Sequence, residues 1–327
     1  MISERQERLL QLIIEDYIKT ARPIGSKSLC EILDCSSATI RNEMSALEDM
    51  GLLEKTHISS GRVPSEKGYR YYVDNIMKPR DIDTSDVREL QTVFNSNSIV
   101  MSDAISKSME IISQMTNYTA VVLGSTSREN KVTKVEVVPI DSQNLIAIVI
   151  TDKGHVEHKN VKLEEKVSVT EIKQTVDLIS KLIIGVPINE VSDLLEFEIK
   201  PIIGQYVKQH EVLYNAFTDF SDSSFKMNGT KNILMQPEFN NTDKIRDIVS
   251  KFEDKEFINS IKEEDNGINI YIGSENSIDD DLTIIKTKYV INGEEGTLAL
   301  IGPKRMEYDR AITLLNYIKQ NIDKEAL

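Results

Sequence analysis

The sequence predicts an α+β protein of more than one domain. The first 80 residues combine helical periodicity with one short hairpin pattern, whereas β-branched runs and amphipathic stretches alternate through the rest of the chain. A chain of 327 residues with 40% hydrophobic content is long enough to bury two or three cores. We therefore expect a small, mainly helical N-terminal module followed by mixed sheets and helices.

Three helices are predicted before residue 51, each beginning at a serine that can cap its first turn. Their expected ranges are 4–20 after Ser3, 26–33 with Ser26 as the cap, and a third helix that starts at Ser36 or Ser37 and runs through Met50. Gly51 follows the third helix, where a helix end favours a residue that can adopt positive φ.

The third predicted helix has two unlike sides. At 100° per residue, Ile40, Met44 and Leu47 share one narrow sector and are expected to face the other helices. The other side carries small or hydrogen-bonding residues that suit base edges and phosphates in a DNA major groove. The DNA contacts predicted from this helix are Ser36, Ser37, Ala38, Thr39, Arg41, Asn42 and Ser45.

A two-stranded wing and an exit helix are predicted next. Residues 52–58 alternate weakly, a tip follows at 59–62, and Ser65 is expected to cap a helix at 66–77. Arg62 is expected at or near the tip, where it would reach a minor groove or the DNA backbone. The further DNA contacts predicted here are His57, Ser60, Arg62, Lys67 and Arg70.

The formal net charge of −14 argues, taken alone, against a nucleic-acid partner, because phosphates repel an acidic surface. The charges are unevenly spread, however. Residues 1–80 hold 12 basic and 12 acidic side chains, and within 55–80 there are 6 basic against 2 acidic side chains. A local positive edge therefore keeps DNA binding open.

The rest of the chain begins with a polar, proline-containing segment, 79–86, that is typical of a linker. An amphipathic helix is predicted at 87–118, with a break near 95–98 left open. Further helices are predicted at 170–184, 191–217, 243–252 and 306–321. Strands are predicted at 119–124, 131–140, 144–151, 155–162, 231–235, 268–272, 282–291 and 296–301.

Other classes of site find little support. Cys30 and Cys35 lack further zinc ligands nearby and are expected to pack in a core, and His155 and His158 would point to opposite faces of a strand. The sequence has no phosphate-binding glycine loop and no nucleophile elbow, so we expect no enzyme, cofactor or metal. With no membrane-length apolar run, no secretory signal and two cysteines, a cytoplasmic protein without a membrane partner is expected.

Five strings of the sequence resemble the HrcA family of heat-inducible transcription repressors. They are SSATIRNEM at 36–44, LEDMGLLEKTH at 47–57, GRVPSEKGYRYYVD at 61–74, IYIGSEN at 270–276 and IGPKRMEYDRAI at 301–312. Ile58 departs from the pattern, since a small polar residue is more usual at that point of the wing.

The resemblance implies a winged helix-turn-helix domain at 1–80, a GAF-like α+β domain at 81–129 and 226–327, and an inserted dimerisation domain at 130–225. It further implies a homodimer that binds double-stranded DNA at an inverted-repeat operator, the CIRCE element, ahead of chaperone operons. The implied protein partner is the GroE chaperonin, which would keep the repressor able to bind DNA.

Two alternatives remain open at this point. A GAF-like fold often encloses a small molecule, so the protein could be a winged-helix regulator that senses a metabolite. It could also be a non-DNA interaction module whose winged helix is accidental, which predicts weak DNA binding without regard to sequence. Operator affinity measured with and without chaperonin and with metabolites separates the chaperonin-dependent repressor from the metabolite sensor.

Overall fold

A computed structural model describes residues 2–55, 61–78, 80–95, 101–124, 130–141, 143–152, 156–162, 169–195, 225–239, 241–263, 265–276, 279–291 and 294–325. The chain divides into two compact units. The first consists of Met1–Val122 with Met227–Leu327, and the second of Leu123–Lys226. Helices and strands are mixed, which confirms the predicted α+β multidomain class.

The first unit begins with three helices: α1 (Glu4–Thr20), α2 (Cys30–Leu33), which continues a 3₁₀ turn at Ser26–Leu29, and α3 (Ser37–Asp49). Ser3 and Gln6 form a capping box at the start of α1. Ser26 is not the cap that the sequence predicted. Gly25 holds that position, and the Ser26 hydroxyl lies 2.8 Å from the hydroxyl of Ser37 instead.

The wing consists of β1 (Leu53–Lys55) and β2 (Arg62–Pro64), which pair antiparallel. Ile24 adds a bridge to the outer side of β2, because its N–H and C=O both bond Arg62 at 2.9 Å. The predicted contacts His57 and Ser60 lie outside the described residues. Ser65 caps α4 (Glu66–Tyr71) as predicted, and a π-helical turn at Tyr72–Ile76 continues that helix.

The following elements are, in chain order, α5 (Thr84–Phe94), α6 (Met101–Thr116), β3 (Thr119–Gly124), β4 (Val132–Pro139), β5 (Asn144–Thr151), β6 (Val156–Lys162), α7 (Val169–Ile183), α8 (Ile188–Leu194), β7 (Phe225–Asn228), α9 (Thr230–Leu234), α10 (Thr242–Glu253), α11 (Lys255–Ser260), β8 (Ile268–Ile272), β9 (Leu282–Ile291), β10 (Glu294–Pro303) and α12 (Tyr308–Glu325).

A five-stranded sheet in the order β7-β3-β10-β9-β8 supports the first unit. Helix α12 packs against β9 and α6. A single buried cluster runs from Leu9 in α1 to Ile322 in α12, so the N-terminal helices and this sheet share one core. The rings of Tyr69 and Tyr308 meet inside it with centroids 6.0 Å apart, and both residues are buried.

The second unit contains a three-stranded antiparallel sheet, β4-β5-β6, with α7 packed against β4. Burial alternates along β5: Leu145, Ala147 and Val149 are buried, and the residues between them are half-buried. This two-residue period is that of a strand with one face on a core. That core includes Ile179 and Ile183 from α7.

Most of the predicted elements are found, and the structure differs from the prediction in three respects. The expected strand at 231–235 is wrong, because these residues fall largely in helix α9. The predicted linker is shorter than expected, since α5 already begins at Thr84. Strand β7 and helix α11 were not predicted. Most of the predicted helix at 191–217 lies outside the described residues.

Candidate nucleic-acid interface

Helix α3 presents the two unlike sides that its sequence predicted. Ile40, Met44 and Leu47 are buried against the N-terminal core. On the other side Ala38, Arg41, Asn42 and Ser45 are exposed. Within the part of the chain that is described, the side chains of Arg41, Asn42 and Ser45 make no hydrogen bond or ion pair. We call these four exposed residues the recognition face.

The predicted contacts at the start of α3 also have structural roles. The Ser36 hydroxyl accepts a hydrogen bond from the Thr39 N–H at 3.1 Å and lies 2.9 Å from the Thr39 hydroxyl. The Ser37 hydroxyl is paired with that of Ser26. These bonds fix where the helix begins and therefore where its free N–H groups point. An anion would meet those groups beside the recognition face.

Arg62 does not occupy the tip of the wing. It opens β2, opposite Lys55, and its side chain is only 10% exposed. Its Nε donates a hydrogen bond to Glu48 of α3 at 2.7 Å. The predicted contact of Arg62 with DNA stays a prediction, and the structure shows this guanidinium bound to the protein instead of open to solvent. Its observed role is to join the wing to α3.

Lys67 and Ser65 attach the start of α4 to the end of α3. The exposed Lys67 donates from Nζ to the Met50 carbonyl oxygen at 3.0 Å, and the Ser65 hydroxyl donates to the Gly51 carbonyl oxygen at 2.6 Å. Gly51 has φ of +74°, the conformation predicted for the residue that ends the helix. Lys67 thus remains near the recognition helix with its side chain open to solvent.

Arg70, a predicted DNA contact, is engaged by the protein itself. Its Nε donates to Glu275 at 2.8 Å, its Nη2 to the Ile270 carbonyl oxygen at 2.5 Å and again to Glu275, and its Nη1 to Asp74 at 3.3 Å. Four donor bonds leave little of the guanidinium for a phosphate. The pKa of Arg70 is raised by its hydrogen bond to Glu275.

Glu275 is a functional candidate that the sequence reasoning did not identify. Burial tends to raise its pKa, but hydrogen bonds from Arg70 and from the Ile272 N–H hold the pKa below its ordinary value. The string IYIGSEN, which contains Glu275, was the available signal. This string indicated the family, but it did not predict which residue Glu275 would contact.

Cys30 and Cys35 are free thiols that pack against the core, as expected. Among the described ranges, no set of three or more His, Cys, Asp or Glu side chains could hold a metal ion. In the same ranges, every helix is too short or too polar to cross a membrane.

Comparison with known proteins agrees with this geometry. A family model described as winged helix-turn-helix transcription repressor, HrcA DNA-binding, matches residues 1–75, and one described as HrcA protein C terminal domain matches residues 102–312. The chain is 38% identical to the heat-inducible transcription repressor HrcA of Bacillus pumilus (strain SAFR-032) over 333 residues, which cover 98% of this chain and 97% of that protein.

A solved structure described as a hypothetical protein at 2.2 Å resolution has a TM-score of 0.68 to this chain and 22% identity. The match covers 99% of this chain and 98% of the other, and it bears on the fold alone. The family models and the Bacillus relative together span nearly the whole sequence. The chain therefore belongs to the HrcA family of heat-inducible transcription repressors, with a winged helix-turn-helix at its N-terminus.

Proposed function

We propose that this repressor acts in the cytoplasm on heat-shock chaperone operons, where it binds a CIRCE-type inverted-repeat operator as a homodimer. Its activity is modulated by the GroE chaperonin, and it works by binding rather than by catalysis. The observation that carries the DNA-binding part is the open recognition face, whose side chains have no partner among the described residues of the protein.

The side chains of this face have the chemistry for reading bases. Asn42 can bond the N6 and N7 atoms of adenine together, and Arg41 can take guanine or a phosphate. The methyl group of Ala38, and that of the half-buried Thr39 beside the face, can touch the methyl group of thymine. Ser45 can donate to or accept from either type of base pair. Because these residues are small or slender, α3 can lie deep in a major groove.

Phosphates are bound around the recognition face. Ser36 and Ser37 lie at the start of α3, where backbone N–H groups and the helix dipole favour an anion. Lys67 adds a positive charge near the other end of α3. His57 and Ser60, predicted from the sequence to lie in the wing, are proposed to reach the backbone or minor groove. These contacts position the protein without reading sequence.

Dimerisation explains how one short helix per chain can select a site in a genome. Two half-sites raise affinity and specificity together, and a two-fold protein matches a palindromic operator. We assign the dimer contact to residues 130–225. Support comes from apolar side chains that remain partly exposed in this segment, among them Val138 and Val156, which are 45% and 56% exposed. The segments 81–129 and 226–327 form the GAF-like domain of the proposal.

Selection of duplexes from a random DNA pool, followed by footprinting, tests this function. The proposal predicts that the purified protein enriches an inverted repeat, protects both halves symmetrically and finds the repeat upstream of chaperone operons. Enrichment of no sequence over random DNA would refute it. Purified GroE chaperonin, added in a second arm, should increase operator occupancy, whereas metabolite extracts depleted of protein should not.

A further inference from the structure

Two charged residues on one side of α4 hold the same short turn of the C-terminal part of the chain. Glu66 accepts hydrogen bonds from the Ser274 N–H at 3.1 Å and from the Ser274 hydroxyl. Arg70, one helical turn later, donates to Glu275 and to the Ile270 carbonyl oxygen. A negative and a positive side chain thus grip successive residues of the 3₁₀ turn Gly273–Glu275. We call this contact the clamp.

The turn is shaped for this contact. Gly273 has φ of +54°, and a Cβ atom added there would lie 2.0 Å from a carboxylate oxygen of Glu66. The buried Asn276 donates from Nδ2 to the Gly273 and Leu282 carbonyl oxygens at 2.6 and 2.8 Å. The Ile272 N–H donates to Glu275 at 2.9 Å. The turn is therefore held by its own bonds as well as by α4.

The same helix is attached to the recognition helix. Lys67 and Ser65 donate to the carbonyl oxygens of Met50 and Gly51, the two residues that directly follow α3. Gly68 lies so close to the Leu52 carbonyl oxygen that an added Cβ atom would meet it at 2.1 Å. Because α4 contacts residues 50–52, which directly follow α3, a shift of α4 is expected to carry the end of α3 with it.

We propose that Glu66, Arg70, Ser274 and Glu275 are positioning residues for DNA binding, which fix the orientation of the recognition helix relative to the C-terminal part of the first unit. This inference rests on the proposed function. The clamp leaves the recognition face exposed, so it holds a state open to DNA. In a dimer, a fixed orientation spares the cost of ordering two recognition helices on one operator.

Apolar contacts keep the clamp's loss from unfolding the protein. Tyr69 and Tyr308 pack beneath it in the shared core. Elsewhere in the same unit, Arg305 donates to the Ile18 carbonyl oxygen at 3.2 Å and so also ties α1 to the C-terminal part. Removal of the charged bonds should therefore loosen the orientation of α3 while each part remains folded.

The full-length protein is compared as wild type, Glu275→Gln, Arg70→Gln and the double variant. One duplex carries the inverted repeat that wild type selects, and a second carries it with one half scrambled. We expect each single variant to lower affinity for the full repeat about tenfold and to leave half-site affinity unchanged. The double variant should lose no more than either single variant, because the two residues act as one contact.

Asp74→Asn is the matched control, since it removes the same charge beside Arg70 without touching the turn. It should keep the wild-type ratio of full-site to half-site affinity. An unchanged ratio in Glu275→Gln, or an equal fall in the control, would overturn the clamp. Loss of half-site affinity in Arg70→Gln alone would also overturn it and would make Arg70 a DNA contact. A wild type that prefers neither duplex over random DNA would instead refute the proposed function.

Discussion

The guanidinium of Arg62 donates to the carboxylate of Glu48 across 2.7 Å and so joins the wing to the recognition helix. The Arg62 side chain is 10% exposed and that of Glu48 30%. Because the Arg62 backbone also pairs with Ile24, this residue links three segments of the N-terminal module. A basic residue next to a predicted DNA contact region therefore serves the fold.

Arg62→Ala should lower the free energy of unfolding by about 1–3 kcal/mol, because the half-buried Glu48 carboxylate loses a charged hydrogen-bond partner. Denaturant unfolding of the full chain measures this. The salt dependence of DNA binding should stay unchanged, since the guanidinium is not available to phosphates. Arg41→Ala is the matched comparison: it should leave stability unchanged and lower the salt slope by about one unit. If Arg62→Ala instead lowered the salt slope and left stability unchanged, Arg62 would be a DNA contact.

Ser36→Ala and Ser45→Ala make the same chemical change at two points of one helix. Ser36 caps α3 through the Thr39 N–H, so its loss should cost about 0.5–2 kcal/mol of stability. Ser45 is exposed in the recognition face, and its replacement should leave stability within about 0.5 kcal/mol. Thermal unfolding of both variants checks this. If both variants lost the same stability, the capping bond of Ser36 would add nothing to the general effect of replacing serine by alanine.

Because of Glu275, the free energy of unfolding should depend on pH in the acid range. Its pKa in the folded protein is below the value of 4.5 for a free glutamate, so its contribution is fully present above about pH 4.5 and is lost as pH falls through the folded pKa. Arg70 stays charged throughout this range.

The stability gap between wild type and Glu275→Gln should accordingly be constant between about pH 5 and 7 and should shrink towards pH 3. Denaturant unfolding across this range measures the gap. A gap that widens on acidification has the opposite sign and would mean that the folded state binds the proton more tightly than the unfolded state does.

Local patterns predicted most of the fold, and the exceptions have local causes. Residues 231–235 contain a short apolar run that suits either a buried strand or a helix, because five residues complete too few periods to decide. Gly229, with φ of +72°, lies between β7 and α9, and the Asn232 side chain donates to the Ser113 and Tyr118 carbonyl oxygens. These hydrogen bonds join residues more than 110 positions apart in the sequence. A prediction from local sequence patterns cannot include them.

In the candidate site, too, local patterns could be predicted and long-range contacts could not. The sides of α3 follow from helical periodicity, so the burial of Met44 and the exposure of Asn42 could be predicted. Arg62 and Arg70 were predicted to contact DNA from their charge and from their places in the wing and the exit helix. Their partners, Glu48 and Glu275, lie 14 and 205 residues away. The charge of a residue on a predicted surface does not reveal an acidic partner that the fold brings to it, so neither ion pair could be predicted.

The central claim is that the recognition face reads bases, and Asn42→Ala tests it most directly. Asn42 is exposed, and its side chain makes no hydrogen bond within the described residues, so its replacement should leave folding unchanged. Affinity for the selected inverted repeat should fall by about 1–3 kcal/mol, and preference should relax at one base position in each half-site, while affinity for random DNA stays the same. Equal losses on the repeat and on random DNA would contradict the claim.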